Sequence, residues 1–216
     1  MSKYEVSNNN VNNQKINDIL ISGENIIWQG KPKKSAFIIN KVLTMLPIAI
    51  IWLMLDLIFI INFLRTETKM LWFIIPFFAL HLMPVWLWLS NVLTANKRWK
   101  NTEYAVTDKR LIIISGFIGM DYQSVYYKDI TDVKLKITAI DKILNVGDIY
   151  FINKTSIPVD NKNVAAPIAF LDIEEAYKIY SKIQKVVLDI QTDIEYPNNL
   201  RPGENDGYNT KYNSKF

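Results

Sequence analysis

The sequence predicts an α+β membrane protein, in which a two-helix transmembrane hairpin is joined to an antiparallel β-roll or small barrel capped by a C-terminal helix. Three observations predict it: residues 42–95 are almost uncharged, the chain after them alternates apolar and polar residues, and its last apolar stripe has helical spacing. The chain averages of 50% hydrophobic residues and a mean hydropathy of +0.04 conceal this division, because they combine the apolar segment with a polar remainder.

The apolar segment is long enough to cross a bilayer twice. Residues 42–64 carry one charge over 23 positions, and a helix of that length spans roughly 34 Å, which is enough for a hydrocarbon core of about 30 Å. Residues 70–95 carry no formal charge, and only five residues separate the two runs. We therefore expect two antiparallel helices.

The basic residues beside the two runs predict the orientation. The loop between the runs holds Arg65 and Lys69. The outer flanks hold seven basic residues: Lys31, Lys33, Lys34, Lys41, Lys97, Arg98 and Lys100. By the positive-inside rule both termini are expected in the cytoplasm of a multi-pass cell-membrane protein. The same seven residues are expected to contact anionic lipids of the inner leaflet, at up to about 1 kcal/mol each.

Two polar residues of the apolar segment, Asp56 and His81, are expected at similar depths in the bilayer. Their positions relative to the loop differ by about three residues, or ~4.5 Å of helical rise. One interpretation is an intramembrane pair that handles protons; the other is a helix–helix hydrogen bond or a carboxyl kept neutral by burial. The sequence leaves both open.

Residues 97–190 form the predicted cytoplasmic domain. Strands are predicted over residues 102–106, 110–115, 123–127, 131–137, 148–152 and 164–170. A helix follows to about Ile190, with Asp172 as its N-cap and Glu175 as the acidic residue at N3. Residues 1–21 and 191–216 are expected to be disordered because they are polar and rich in asparagine, and residues 22–41 are interpreted as a juxtamembrane segment.

Four stretches occur in an informative order. Gly23–Glu24–Asn25 with the following Ile-Ile-Trp-Gln-Gly precedes the apolar segment, and Tyr-Ala-Val-Thr-Asp-Lys-Arg-Leu at 104–111 follows it. Residues 127–133 and the Leu-Asn-Val-Gly-Asp-Ile run at 144–149 come next. This order resembles the bacterial membrane proteins with a PH-like domain, the YdbS/YdbT type, over residues 22–190. The resemblance implies a PH-like roll capped by a C-terminal helix, lying at the inner face of the membrane.

The residue inventory argues against catalysis. The chain has no cysteine and one histidine, which excludes a disulfide framework, a thiolate nucleophile, a thiolate zinc site and any site that needs two imidazoles. It has no phosphate-binding glycine motif, and Asp129, Asp132, Asp141 and Asp148 are interpreted as turn and cap residues. We expect no catalytic residue, no cofactor and no metal site.

The remaining hypotheses concern binding. Lys109 and Arg110 lie at a turn where related eukaryotic PH domains often place headgroup-binding cations, so they are a possible headgroup or ligand turn. Nucleic-acid binding is not expected, since residues 97–190 hold 14 basic and 12 acidic side chains. The sequence favours a membrane-anchored, non-enzymatic module that engages a protein partner or itself. The alternative is a small transporter or channel subunit that uses Asp56 and His81.

Overall fold

The computed structural model of the chain describes residues 14–65, 71–153 and 168–195. Its contacts divide the chain into two compact units: residues 1–33 together with 101–216 form the first unit, and residues 34–100 form the second. The helices are α1 (Gln14–Asn17), α2 (Lys34–Leu64), α3 (Leu71–His81), α4 (Met83–Lys100), α5 (Ala139–Leu144) and α6 (Ala176–Glu195). The strands are β1 (Ile26–Gly30), β2 (Glu103–Thr107), β3 (Arg110–Ser115), β4 (Asp121–Tyr126), β5 (Ile130–Lys136), β6 (Val146–Asn153) and β7 (Ile168–Glu174).

The first unit is built from two antiparallel sheets. One has the strand order β1-β2-β3-β4 and the other the order β5-β6-β7. The amphipathic α6 packs with both into one core, because its apolar stripe recurs at helical spacing. Phe170 lies in this core, with its ring 4.8 Å from those of Tyr104 and Phe151 and 5.8 Å from that of Trp28. An α+β fold with antiparallel sheets is therefore confirmed.

Strand β1 was not predicted. Its five residues lie in the segment that the sequence indicated as juxtamembrane, yet they pair with β2, with Gly30 opposite Tyr104 and Gln29 opposite Ala105. The two strands are adjacent in the sheet although residues 31–102 separate them in the chain. A five-residue run carries little periodic signal by itself, and its partner is too distant in sequence to suggest a hairpin.

The N-terminal segment also differs from its expectation. Its composition predicts disorder up to residue 21, but residues 14–17 form α1 and Ile16 is fully buried. Ile16 packs in a small cluster with Ala105, Ile112 and Ile114. The last three side chains belong to β2 and β3. Alternate residues of a strand point to opposite faces of the sheet, and the N-terminal segment covers the face on which these three lie. The predicted disorder of residues 1–13 and 196–216 lies outside the described residues.

The start of the last helix was misplaced. Asp172 was predicted as its N-cap, but Asp172 lies within β7 at a φ of 55°, and α6 begins only at Ala176, after Glu175 at a φ of 51°. The strand continues to Glu174 because Glu174 still pairs with Val146 of β6. A capping box is present instead at α5, where Thr138 and Asp141 cap each other. Asp141 is thus the capping residue that the sequence indicated.

The second unit contains the apolar helices. Helix α2 begins at Lys34, eight residues before the expected span, and its stretch Lys34–Phe63 is long and apolar enough to cross a membrane by length and composition. The second apolar run is broken at Leu82 into α3 and α4, since Pro84 has no N–H to donate to the carbonyl of Leu80. Among the described residues α2 alone meets that criterion, so the two-helix transmembrane hairpin stays a prediction.

Candidate functional site

Asp56 and His81, the polar pair that the sequence singled out, are in contact. The distance between His81 Nδ1 and Asp56 Oδ1 is 2.7 Å, and the residue Asp56 is only 2% exposed. The His81 ring stacks on Phe77 with centroids 5.2 Å apart, and Trp52 Nε1 donates a 2.7 Å hydrogen bond to the His81 carbonyl. Asp56 Oδ2 has no hydrogen-bond partner within the described residues. The contacts of the pair link α2 to the end of α3.

Two of the seven predicted lipid-contact residues have partners in the first unit. Lys31 Nζ lies 2.9 Å from Glu103 Oε1, and the Glu103 side chain is 2% exposed. Lys33 Nζ donates to the Leu144 carbonyl at 2.9 Å and lies 3.2 Å from Glu174 Oε1. Both lysines therefore stabilise the fold of the first unit, a role that the sequence did not predict.

The other five basic residues lie at the first turns of α2 and the last turns of α4. Lys34 Nζ lies 5.2 Å from the centroid of the Trp99 ring, and Lys41 Nζ lies 5.5 Å from that of Phe37. The last turn of α4 carries Lys97, Arg98 and Lys100. Trp88 Nε1 of α4 donates to the Val42 carbonyl of α2 at 2.9 Å, which places the start of α2 beside α4. Lipid contact by these residues stays a prediction.

Arg110 of the possible headgroup turn is an internal ion-pair partner. Its Nε donates to Glu24 Oε1 at 3.0 Å, and its Nη2 donates to Glu24 Oε2 at 3.1 Å and to the Ile19 carbonyl at 2.7 Å. The Glu24 side chain is fully buried and that of Arg110 is 13% exposed. Lys109 Nζ donates to the Ser22 carbonyl at 3.1 Å. The turn therefore contacts the N-terminal segment, and headgroup binding by Lys109 and Arg110 stays a prediction.

The contacts around Glu24 also set its pKa. Burial alone would raise the pKa of the Glu24 carboxyl, but hydrogen bonds from Arg110, the Ile21 N–H and Thr107 outweigh it, so the pKa is lowered. The hydroxyl of Thr107 lies 2.7 Å from Glu24 Oε1. The Gly-Glu-Asn and Thr-Asp-Lys-Arg stretches are therefore two halves of one network. The presence of both stretches in one chain was the available signal for this network, but the sequence analysis did not predict that they are in contact.

A cleft of about 450 Å³ lies between β5 and α6. Strand β5 is an edge of its sheet. Two of its carbonyls are covered by helix side chains: Gln191 Nε2 donates to Ile130 at 2.7 Å, and the Tyr180 hydroxyl donates to Val133 at 3.2 Å. The cleft is lined by Ile130, Thr131, Asp132, Val133, Ser181, Gln184, Lys185, Val187, Leu188 and Gln191.

The acidic residues near α5 have structural partners. Asp148 accepts a hydrogen bond from the Asp172 N–H at 2.9 Å and another from the Tyr150 hydroxyl at 3.3 Å. Burial raises the pKa of the Asp148 carboxyl. Over residues 14–65, 71–153 and 168–195, no three acidic or histidine side chains are grouped to hold a metal ion.

Comparison with known proteins identifies the family of this architecture. The family model described as "Bacterial PH domain" matches residues 36–187, which is more than half of the chain. A solved structure of a DUF1696 family protein with a pleckstrin-homology domain, from Shewanella loihica, is similar at 20% identity and a TM-score of 0.28. That similarity covers 41% of this chain and 68% of the other. None of the curated proteins matches the sequence significantly.

Proposed function

This chain belongs to the bacterial PH domain family, and from that premise we propose that it is a membrane-anchored, non-enzymatic binding or assembly module on the cytoplasmic face of a bacterial membrane. A PH-like domain suggests such a module, since this family is generally non-catalytic. Its finer membership is proposed to be the YdbS-like type, on the order of the four sequence stretches given above. The module is proposed to engage a protein partner or a second copy of itself.

The pairing of β1 with β2 is the observation that carries the proposed topology. Gly30 and Tyr104 are opposite each other in one sheet, so the chain leaves that sheet and returns to it at neighbouring points. If the intervening residues enter the membrane, they must come back to the side on which they started. This pairing therefore supports an even number of crossings rather than a single span by α2.

The second crossing is assigned to α3 and α4. Their 11 and 18 residues are separated only by Leu82, where the Trp86 N–H still donates to the Leu82 carbonyl at 3.0 Å. A proline-associated break of this kind is tolerated inside a transmembrane helix when neighbouring groups satisfy the freed backbone. The positive-inside rule then places the basic turns of α2 and α4, together with both termini, on the cytoplasmic side.

The partner is proposed to bind at the cleft between β5 and α6. Part of the β5 edge is already covered by Gln191 and Tyr180, so the partner is proposed to bind through the side chains that line the cleft. Leu188 is 54% exposed and lines this cleft together with Asp132 of the strand and Lys185 of the helix. An extended segment with an apolar side chain between groups of opposite charge would complement these three residues.

The proposed topology is tested by single cysteines, which the natural chain does not contain. In intact spheroplasts, a membrane-impermeant maleimide is expected to label Glu67→Cys, whereas Leu188→Cys reacts only after the membrane is permeabilised. Labelling of both variants in intact spheroplasts would contradict the orientation. Recovery of the unmodified chain in the soluble fraction would contradict the anchor.

The binding role is tested by cross-linking from the cleft. A short photoreactive cross-linker on Leu188→Cys in native membranes is expected to trap a discrete protein adduct, which mass spectrometry identifies as a second copy or another protein. The matched control is Tyr122→Cys on β4, which is 50% exposed in the same domain and is expected to give no such adduct. Equal adducts from both positions, or none from Leu188→Cys, would contradict a binding cleft here.

The contact between Asp56 and His81 favours a second candidate, a small transporter or channel subunit. A buried carboxyl in contact with an imidazole is one element that a proton pathway through a membrane uses. Two crossings alone do not enclose a pathway, so this candidate also requires oligomerisation. A proton flux in reconstituted vesicles that Asp56→Asn abolishes without loss of insertion would favour this candidate over the binding module.

A further inference from the structure

Two isoleucines of the first unit are strongly exposed to solvent. Ile118 is 91% exposed and Ile143 is 84% exposed, the largest exposed fractions among the large hydrophobic side chains that the structure describes in this unit. An aliphatic side chain left in water forgoes the free energy of burial. Both residues are close in sequence to a carbonyl group that accepts a hydrogen bond from Lys33 or Asn101, the two residues of this unit that flank the apolar helices in the chain.

Ile118 lies in the turn between β3 and β4. The turn is tightly folded, as Gly116 shows: a side chain added at that position would collide with the Gly119 carbonyl. Met120 packs inward against the cluster around Ile112, so Ile118 is the outward apolar residue of the turn. Asn101 Nδ2 donates to the Gly116 carbonyl at 3.4 Å. Asn101 directly follows the last residue of α4.

Ile143 lies on α5, which is equally well defined. The capping box of Thr138 and Asp141 fixes its start, and Asn145 ends it in a left-handed conformation with φ 53°. Lys33 Nζ donates to the Leu144 carbonyl at 2.9 Å, one residue after Ile143. Lys33 directly precedes the first residue of α2. The β3–β4 turn and α5 therefore each accept one hydrogen bond from a residue that flanks the apolar insertion in sequence.

We propose that the β3–β4 turn and α5 are two apolar tips that insert Ile118 and Ile143 into the lipid interface of the inner leaflet. This inference rests on the proposed membrane anchor, because the anchor brings residues 33 and 101 to the bilayer surface. The charges agree with it: Lys142 is exposed beside Ile143, and Lys34, Lys97 and Lys100 are close in sequence to residues 33 and 101. Apolar side chains flanked by lysines are the composition that binds an anionic lipid interface.

The experiment places an environment-sensitive fluorophore on single cysteines in the full chain, reconstituted into vesicles of phosphatidylethanolamine and phosphatidylglycerol. The test variants are Ile118→Cys and Ile143→Cys, which alter exposed side chains and leave the core intact. The matched control is Leu188→Cys. Leu188 is an exposed aliphatic residue that lines the cleft together with Ile130, and Ile130 follows β4 in the chain whereas the turn precedes it. Met54→Cys, at a 60% exposed position of α2, reports the anchor separately.

The tips are expected to be quenched several-fold more by spin-labelled lipid than the Leu188→Cys control, at a depth of about 5–10 Å into the headgroup and acyl boundary. Quenching by aqueous iodide should show the reverse order. Quenching of the tips equal to that of Leu188→Cys would overturn the inference, and lipid quenching at Met54→Cys in the same experiment would leave the anchor standing. Protection of the tips from iodide without lipid quenching would also overturn it, in favour of a protein partner.

Discussion

A chain in which a short glycine–serine linker replaces residues 34–100 is expected to fold as a water-soluble domain, whereas residues 97–190 alone are expected not to fold. The linker version keeps residues 14–33, and therefore β1. The join is short because Gly30 and Tyr104 are paired neighbours, and the cost of closing a loop rises only slowly with its length.

The shorter fragment loses contacts that no other residue replaces. Trp28 no longer packs on Phe170, and Arg110 and Glu103 lose their partners Glu24 and Lys31. Each large apolar side chain removed from the core costs about 1.5–3 kcal/mol, and each buried charge left unpaired about 3–5 kcal/mol. Together these losses are comparable to the whole stability of a small domain, about 5–15 kcal/mol.

Circular dichroism and urea unfolding measure this difference. The linker version is expected to unfold in one cooperative transition, and the fragment of residues 97–190 to show none. The matched control is the linker version with β1 scrambled in sequence, which should behave like the fragment. Cooperative unfolding of the fragment would contradict the structural role of β1.

Removal of one partner of the Glu24–Arg110 pair is expected to destabilise the domain by about 3–5 kcal/mol, because the remaining buried charge is left unpaired. Glu24→Ala and Arg110→Ala in the linker version should each show this loss in urea unfolding. Their double variant should lose much less than the sum, since the two side chains act on each other. Lys182→Ala, at an exposed position of α6, is the control and should change stability by about 0.5 kcal/mol or less. Simple additivity would contradict the pairing.

The same pair gives the domain an acid dependence of known sign. The pKa of Glu24 is lower in the folded state than the ordinary value of 4.5 for a glutamate carboxyl, so its contribution to stability is fully present above that value. The contribution is lost as the pH falls through the lower folded-state pKa, because protonation then removes the carboxylate that Arg110 binds. Glu24→Gln cannot titrate, and its stability should fall less steeply below pH 4.5 than that of the unaltered domain.

The strands that follow the apolar segment were predictable because their signals are local. Strand β3 has the predicted bounds, and the bounds of β2 and β5 lie within one residue of theirs. Period-two alternation and the turn residues between the strands are sufficient for such elements. The register with β1 was not predictable in this way, since its five residues contact a strand beyond residue 102.

The site residues show the same difference between local signals and contacts over a long distance in the chain. The closeness of Asp56 and His81 follows from counting residues on either side of a short loop, and the structure brings them together. The partners of Arg110, Lys31 and Lys33 are 86, 72 and 111 residues away in the chain. Their positive charges led to the prediction of lipid or headgroup contact, which stays a prediction. The contacts with distant carboxylates and carbonyls come only from the structure.

Sequence alone was sufficient to predict an apolar segment, with basic residues at its edges, that is inserted into an antiparallel α+β domain of the bacterial PH domain family. Composition and period are properties of neighbouring residues, and they persist whatever the rest of the chain does. Three features became known only from the tertiary structure. The insertion separates two paired strands, Glu24 and Arg110 bind each other, and Ile118 and Ile143 remain outside the core. Each of these depends on which distant surfaces meet, and that is settled by packing between segments far apart in the chain.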